Sequence, residues 1–148
     1  MAIRILIAED HAMVRQGLRT MLERDGFQVV GEAGDGREAL RLARELAADV
    51  AVLDLGLPQL NGIDVAREIR RMGSGTRTIL VTMFGEQTHL MSALRAGVRG
   101  YLLKTRAVED LVTAIREVHR GGMYLGDFPE DALDTYRATA DRGSDPLT

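Results

Sequence analysis

Val50-Ala51-Val52-Leu53-Asp54 decides the fold: four apolar residues stop at a carboxylate, and Leu55-Gly56-Leu57-Pro58, with Asn61-Gly62 behind it, follows as a turn. A short apolar run bounded by turn signals is the pattern of a strand buried on both faces. Working outward, Ile3–Ala8, Phe27–Val30, Ile79–Val81 and Tyr101–Leu103 are runs of the same kind. The stretches between them change period. Val14, Leu18, Met21 and Leu22 recur at helical spacing, as do Ala39, Leu42, Ala43 and Leu46 behind an Asp35 cap with Glu38 three residues on. Ile63, Val65, Ala66 and Ile69 make a third helical face, and Leu90, Ala93 and Leu94 a fourth that Gly97 can stop. The fifth runs from Val108 through Leu111, Val112, Ile115 and Val118 to Gly121-Gly122.

Five such strand–helix pairs imply an α/β, doubly wound (βα)5 fold of the flavodoxin-like type: a parallel five-stranded sheet with helices on both faces. The expected strand order is 2-1-3-4-5, which places ligands at the carboxyl ends of the first and third strands, where the winding reverses.

The chain has 148 residues, 45% of them hydrophobic, enough for one domain with an ordinary core. It contains no cysteine, which excludes disulfides and thiolate metal sites and suits a cytoplasmic location. Its longest apolar runs fall far short of the roughly 20 residues that span a bilayer, so no membrane partner is expected. With 22 acids against 19 bases, the net charge of −3 argues against nucleic-acid binding by these residues alone. Eighteen of the bases are arginine, and Lys104 is the only lysine. A flexible point charge in that setting suggests a specific partner.

Polar side chains mark four strand ends. Glu9 and Asp10 follow the first strand, Asp54 ends the third, Thr82 the fourth and Lys104 the fifth. Taken singly, each reads as a cap, a turn or a surface residue. In the expected order these strands place all five side chains on one rim, where chance is a poor explanation. Three carboxylates in one cleft repel one another and call for a cation. All-oxygen ligands suit Mg²⁺, or the similar Mn²⁺. Phosphoryl transfer needs such charge neutralisation, with Asp54 as nucleophile and Lys104 and Thr82 on the phosphate oxygens. His11, His89 and His119 lack metal-ligand spacing and read as surface or cap residues. No phosphate-cradling glycine loop of the GxxxxGK[ST] kind is present.

Glu9-Asp10, Val52-Leu53-Asp54-Leu55-Gly56-Leu57-Pro58, Val81-Thr82 and Gly100-Tyr101-Leu102-Leu103-Lys104 together resemble the receiver domains of two-component response regulators. The resemblance covers about residues 2–122. Glu-Asp-His with Val14-Arg15-Gln16-Gly17-Leu18, and Ala93-Leu94-Arg95-Ala96-Gly97, resemble the NarL/FixJ (LuxR-type) subfamily in particular. The resemblance implies that Asp54 accepts phosphate from a sensor histidine kinase. It implies that Glu9, Asp10, Asp54 and the Gly56 carbonyl bind the metal, and that Tyr101 is an aromatic switch rotating inward on phosphorylation. It also implies a phosphorylation-dependent homodimer. Glu9 stands where aspartate is more frequent, Met83 where a smaller residue is common, and Ala107 where a capping serine is common, so the start of the fifth helix is expected to fray.

Residues 1–122 are thus expected to form the receiver. Residues 123–148, acidic and ending Asp145-Pro146-Leu147-Thr148, read as a linker toward a helix-turn-helix domain lying beyond them, with a short helix at Pro129–Ala140. DNA would then be contacted only through that further domain, and the chain is either a piece cut at this boundary or a natural short form. The expected function is a phosphorylation switch controlling transcription. A stand-alone receiver acting in a phosphorelay or by protein binding is the alternative. A phosphatase of the haloacid-dehalogenase type wants a second aspartate two residues after the nucleophile, where Gly56 stands, so no enzyme beyond self-phosphorylation and dephosphorylation is expected.

Overall fold

A computed structural model describes residues 2–83 and 87–126. The elements alternate as β1 (Arg4–Ala8), α1 (Ala12–Arg24), β2 (Gln28–Ala33), α2 (Gly36–Leu46), β3 (Val50–Asp54) and α3 (Gly62–Met72). They continue as β4 (Arg77–Thr82), α4 (Gln87–Arg95), β5 (Gly100–Leu103) and α5 (Ala107–His119). The strands form one five-stranded sheet of order β2-β1-β3-β4-β5, with every neighbouring pair parallel. This is the flavodoxin-like arrangement that the alternating periods imply.

The inner strands β1, β3 and β4 are largely apolar on both sides because each side meets a helix layer. Ile5, Ile7, Val50, Val52, Ile79 and Val81 face α1 and α5, where they join Leu22, Leu111, Ile115 and Val118. Leu6, Ala8, Ala51, Leu53 and Leu80 point the other way, toward Ala39, Ala66, Ile69, Leu90 and Leu94 of α2, α3 and α4. The two layers leave only the strand ends for polar chemistry.

Local signals set the helix ends. Asp35 Oδ1 accepts from the Glu38 amide at 2.8 Å and Asn61 Oδ1 from the Asp64 amide at 3.0 Å, so α2 and α3 start on side-chain caps. Gly97, with φ +92°, follows α4 in the left-handed conformation expected of a helix stop. α5 has no side-chain cap; a short 3-10 turn, Lys104–Arg106, leads into it instead.

Two elements run beyond their apolar cores. β2 continues through Gly31 and Glu32 to Ala33, with an irregularity in its pairing with β1 that skips Val30 between the Ile5–Val29 and Leu6–Gly31 pairs. After α5, the Tyr124 amide donates to the Arg99 carbonyl at 2.9 Å, and its carbonyl accepts from the Tyr101 amide at 2.8 Å. The chain leaving α5 therefore lies along β5 as a short parallel addition to the sheet. Met123 and Leu125 pack against the α2–α4 layer and Tyr124 against the α1–α5 layer. The helix expected at 129–140 lies outside the described residues.

Candidate phosphoacceptor site

The order β1-β3-β4 brings the predicted side chains together. Asp54, last in β3, is buried and pairs across to Val81, one residue before the buried Thr82. Its Oδ1 accepts from the Gly56 amide at 3.1 Å and its Oδ2 lies 3.0 Å from Lys104 Nζ. Lys104 reaches across from the end of β5 and is shared: Glu9 Oε2 also lies 3.0 Å from Nζ. One ammonium therefore holds two buried carboxylates from two other strands. Asp10 points outward beside them, its Oδ1 3.1 Å from His11 Nδ1. Tyr101 is fully buried in the layer facing α4, already inward.

The ionisation of this cluster follows from burial and from the shared lysine. Burial raises the Asp54 carboxyl above its ordinary value, against the bonds from Lys104 and the Gly56 amide. Glu9 is also buried, but bonds from His11 and Lys104 outweigh that and hold its pKa below the ordinary value. Lys104 is held above its ordinary value: burial works against the ammonium, but Glu9 and Asp54 outweigh it. His11 is raised chiefly by its bond to Glu9.

Asp54 therefore carries a measurable cost. Folded Asp54 takes up its proton at a higher pH than unfolded Asp54, so its effect is to make the fold relatively more stable as pH falls. At neutral pH the ionised group weakens the fold compared with a neutral isostere. Metal-free Asp54→Asn is expected to be the more stable protein at neutral pH. Its advantage shrinks on acidification through the raised pKa toward the unfolded value of about 3.9. Urea denaturation of both proteins across this range measures the gap; an advantage that widens toward acid contradicts the assignment.

Two residues in this region make contacts that the sequence reading did not assign to them. His11 is the cap residue of α1 and largely exposed, as expected, yet its ring nitrogen bridges both acids. Glu9, Asp10 and His11 bring one ligand atom each to within 4.8 Å of one another. Arg15, one turn into α1, donates through Nη1 to the Glu9 carbonyl at 2.7 Å. The hard oxygen donors of Glu9, Asp10 and Asp54 fit a Mg²⁺ ion, and Lys104 draws Glu9 and Asp54 together.

With this geometry in view, comparison with known proteins is direct. The family model for the response regulator receiver domain matches residues 5–116, and the chain belongs to that family. It is the receiver domain of a two-component response regulator, similar to LuxR/NarL-family members, and not a conventional enzyme. It is 36% identical over 124 residues to the response regulator GacA of Pseudomonas aeruginosa, covering 83% of this chain and 58% of the relative. A LuxR-family two-component response regulator structure from Aurantimonas is 34% identical with a TM-score of 0.84, covering 93% of this chain and 99% of that one. The receiver domain of the NarL regulator from Mycobacterium tuberculosis is also 34% identical, with a TM-score of 0.78, covering 81% and 98%. The chain spans less than two thirds of the length of the curated relatives it matches first, such as the 58% of GacA.

Proposed function

We propose that Asp54 accepts a phosphoryl group from a phosphohistidine on a sensor kinase and that the charged domain controls a DNA-binding output carried by a further domain. The observation that carries this reading is the buried Asp54 carboxylate held by Lys104 at 3.0 Å, beside Glu9 and Asp10. An Asp54 oxygen attacks phosphorus, the new O–P bond forms as the P–N bond breaks, and the donor imidazole leaves. Glu9, Asp10, Asp54 and the Gly56 carbonyl would hold Mg²⁺ (or Mn²⁺), which when bound neutralises charge on the transferred group. Lys104 moves from the carboxylates to the phosphate, and the Thr82 hydroxyl is drawn to it from the end of β4. Tyr101 already lies inward, so charging would fix that position rather than create it. Tyr101 also shares a backbone bond with Tyr124, so a shift of β5 bears on the chain leading out of residues 1–122 toward 123–148. A homodimer formed on phosphorylation would use such a shift. A cytoplasmic setting follows from the kinase partner; no described helix is long and apolar enough to cross a membrane. A stand-alone receiver acting in a phosphorelay or by protein binding is the second reading.

The kinase needs a place to dock beside Asp54. A groove of about 870 Å³ between α1 and the start of α5 opens onto Glu9, Asp54 and Lys104. Met13 and Val108 on its rim are 86% and 73% exposed, a cost in water that a partner's apolar helix would remove. Val108→Asp is expected to lower transfer from a phosphorylated histidine-kinase domain by at least about tenfold, the loss of one anchor contact. Charging by acetyl phosphate, which needs no docking, should be unchanged. Equal loss with both donors would contradict the docking role; no charging of the parent protein by either donor would contradict the function itself.

A further inference from the structure

We propose that Arg15 is a positioning residue for the metal site: by gripping the Glu9 carbonyl it fixes the peptide that joins the two acids. The inference rests on the reading of Glu9 and Asp10 as metal ligands. β1 ends at Ala8 and α1 begins at Ala12, so Glu9 and Asp10 lie where neither element holds the backbone. The Glu9 amide is tied to β2 through the Ala33 carbonyl at 3.0 Å. Its carbonyl is tied to Arg15 Nη1 at 2.7 Å, a short, charge-assisted bond. With both ends of Glu9 held, rotation of the Glu9–Asp10 peptide is restricted, which narrows where Asp10 can lie.

The grip has its own support. Arg15 Nε lies 3.2 Å from Glu32 Oε1 on β2, and the other Glu32 oxygen takes Arg19, one turn further along α1. Glu32 pairs with Ile7 in the sheet, so its carboxylate stands on a rigid base. The planar fork of one guanidinium points Nε at Glu32 and Nη1 at Glu9, two directions that a lysine could not serve together. Arg15 and Glu32 are both about three-quarters buried on their side chains, which keeps water from replacing either bond. The arrangement is a second layer behind the acids, and such layers set metal affinity as well as stability.

The sign of the effect separates positioning from charge. Removing a cation from behind an anionic site, acting through its field alone, would tighten metal binding. Loss of positioning weakens it. Mn²⁺ titration of the whole chain, followed by the EPR signal of the free ion well below the melting temperature, reads this directly. Arg15→Met, which keeps the apolar stem, is expected to bind Mn²⁺ about tenfold more weakly than the parent protein. Arg15→Lys should fall between them, and Glu32→Gln should weaken binding without adding to the loss in Arg15→Met. Unchanged or tighter binding by folded Arg15→Met overturns the proposal. Should Arg15→Met not fold, Arg15→Lys carries the test: its charge is kept, so weaker Mn²⁺ binding reports lost positioning and unchanged binding overturns the proposal. A parent protein that takes up no Mn²⁺ removes the metal reading, and this inference falls with it. Binding by the parent with no loss in the variants removes this inference alone.

Discussion

Lys104→Ala is expected to slow phosphorylation of Asp54 by acetyl phosphate about 10²–10³-fold, the loss that follows removal of one preorganised donor from a transition-state site. Two effects act together. The ammonium is the only cation bonded to both buried carboxylates among the described residues, so developing charge on the phosphoryl oxygens loses its nearest protein counter-ion. Asp54 also loses one of the two bonds that oppose the rise caused by burial, so less of it is ionised at a given pH. The same change frees Glu9 and Asp54 from a competitor, so Mg²⁺ should bind Lys104→Ala more tightly even as the reaction slows. A time course of intact mass at saturating Mg²⁺ separates these effects. A rate within about threefold of the parent protein would mean that the metal alone supplies the charge and that the lysine only holds the carboxylates together.

Gly36→Ala is expected to destabilise the domain by about 3 kcal/mol or more, the upper range for overpacking against a part that cannot yield. A β-carbon on Gly36 would lie 1.8 Å from the Leu60 carbonyl oxygen and 2.6 Å from its carbonyl carbon. The clash is with backbone, not with a flexible tip. The loop cannot simply retreat, because the Gly36 amide donates to the Pro58 carbonyl at 3.0 Å and Leu60 turns back on that same carbonyl at 2.8 Å. This loop also carries Gly56, whose amide holds Asp54. The substitution should therefore weaken phosphorylation in molecules that remain folded. Gly17 is the control: nothing lies within 4 Å of its β-carbon position on α1, so alanine there should stabilise by about 0.5–1 kcal/mol. Urea unfolding of the two variants measures both signs. Similar stabilities for Gly36→Ala and the parent protein would contradict the packing described between α2 and the β3–α3 loop.

What could be read from the sequence depended on whether the signal was local. The five apolar runs and the helical spacings between them are local, and they set the element order; the strand order followed from the common arrangement of five-stranded doubly wound sheets. The strand-end residues Glu9, Asp54, Thr82 and Lys104 were legible because topology converts strand ends into one rim. The apolar run of β2 stops at Val30, before Gly31 and Glu32, whereas the ladder skips Val30 and continues to Ala33. Arg15 carried no signal: its partners are a carbonyl six residues back and Glu32 seventeen residues on, and the sheet alone brings them together. Lys104 was expected on a phosphate. It also bridges Glu9 and Asp54, because buried carboxylates need a cation in reach. The pairing of Tyr124 with β5 was equally silent, being a matter of backbone bonds that any residue but proline can make.

The central claim is that one carboxylate holds the signal. Intact mass after incubation with Mg²⁺ and acetyl phosphate, followed by peptide mapping of the modified residue, addresses it most directly. A gain of one phosphoryl group on Asp54 is expected, abolished by removing Mg²⁺ with a chelator and absent from Asp54→Asn. A gain of the same size that persists in Asp54→Asn would contradict it.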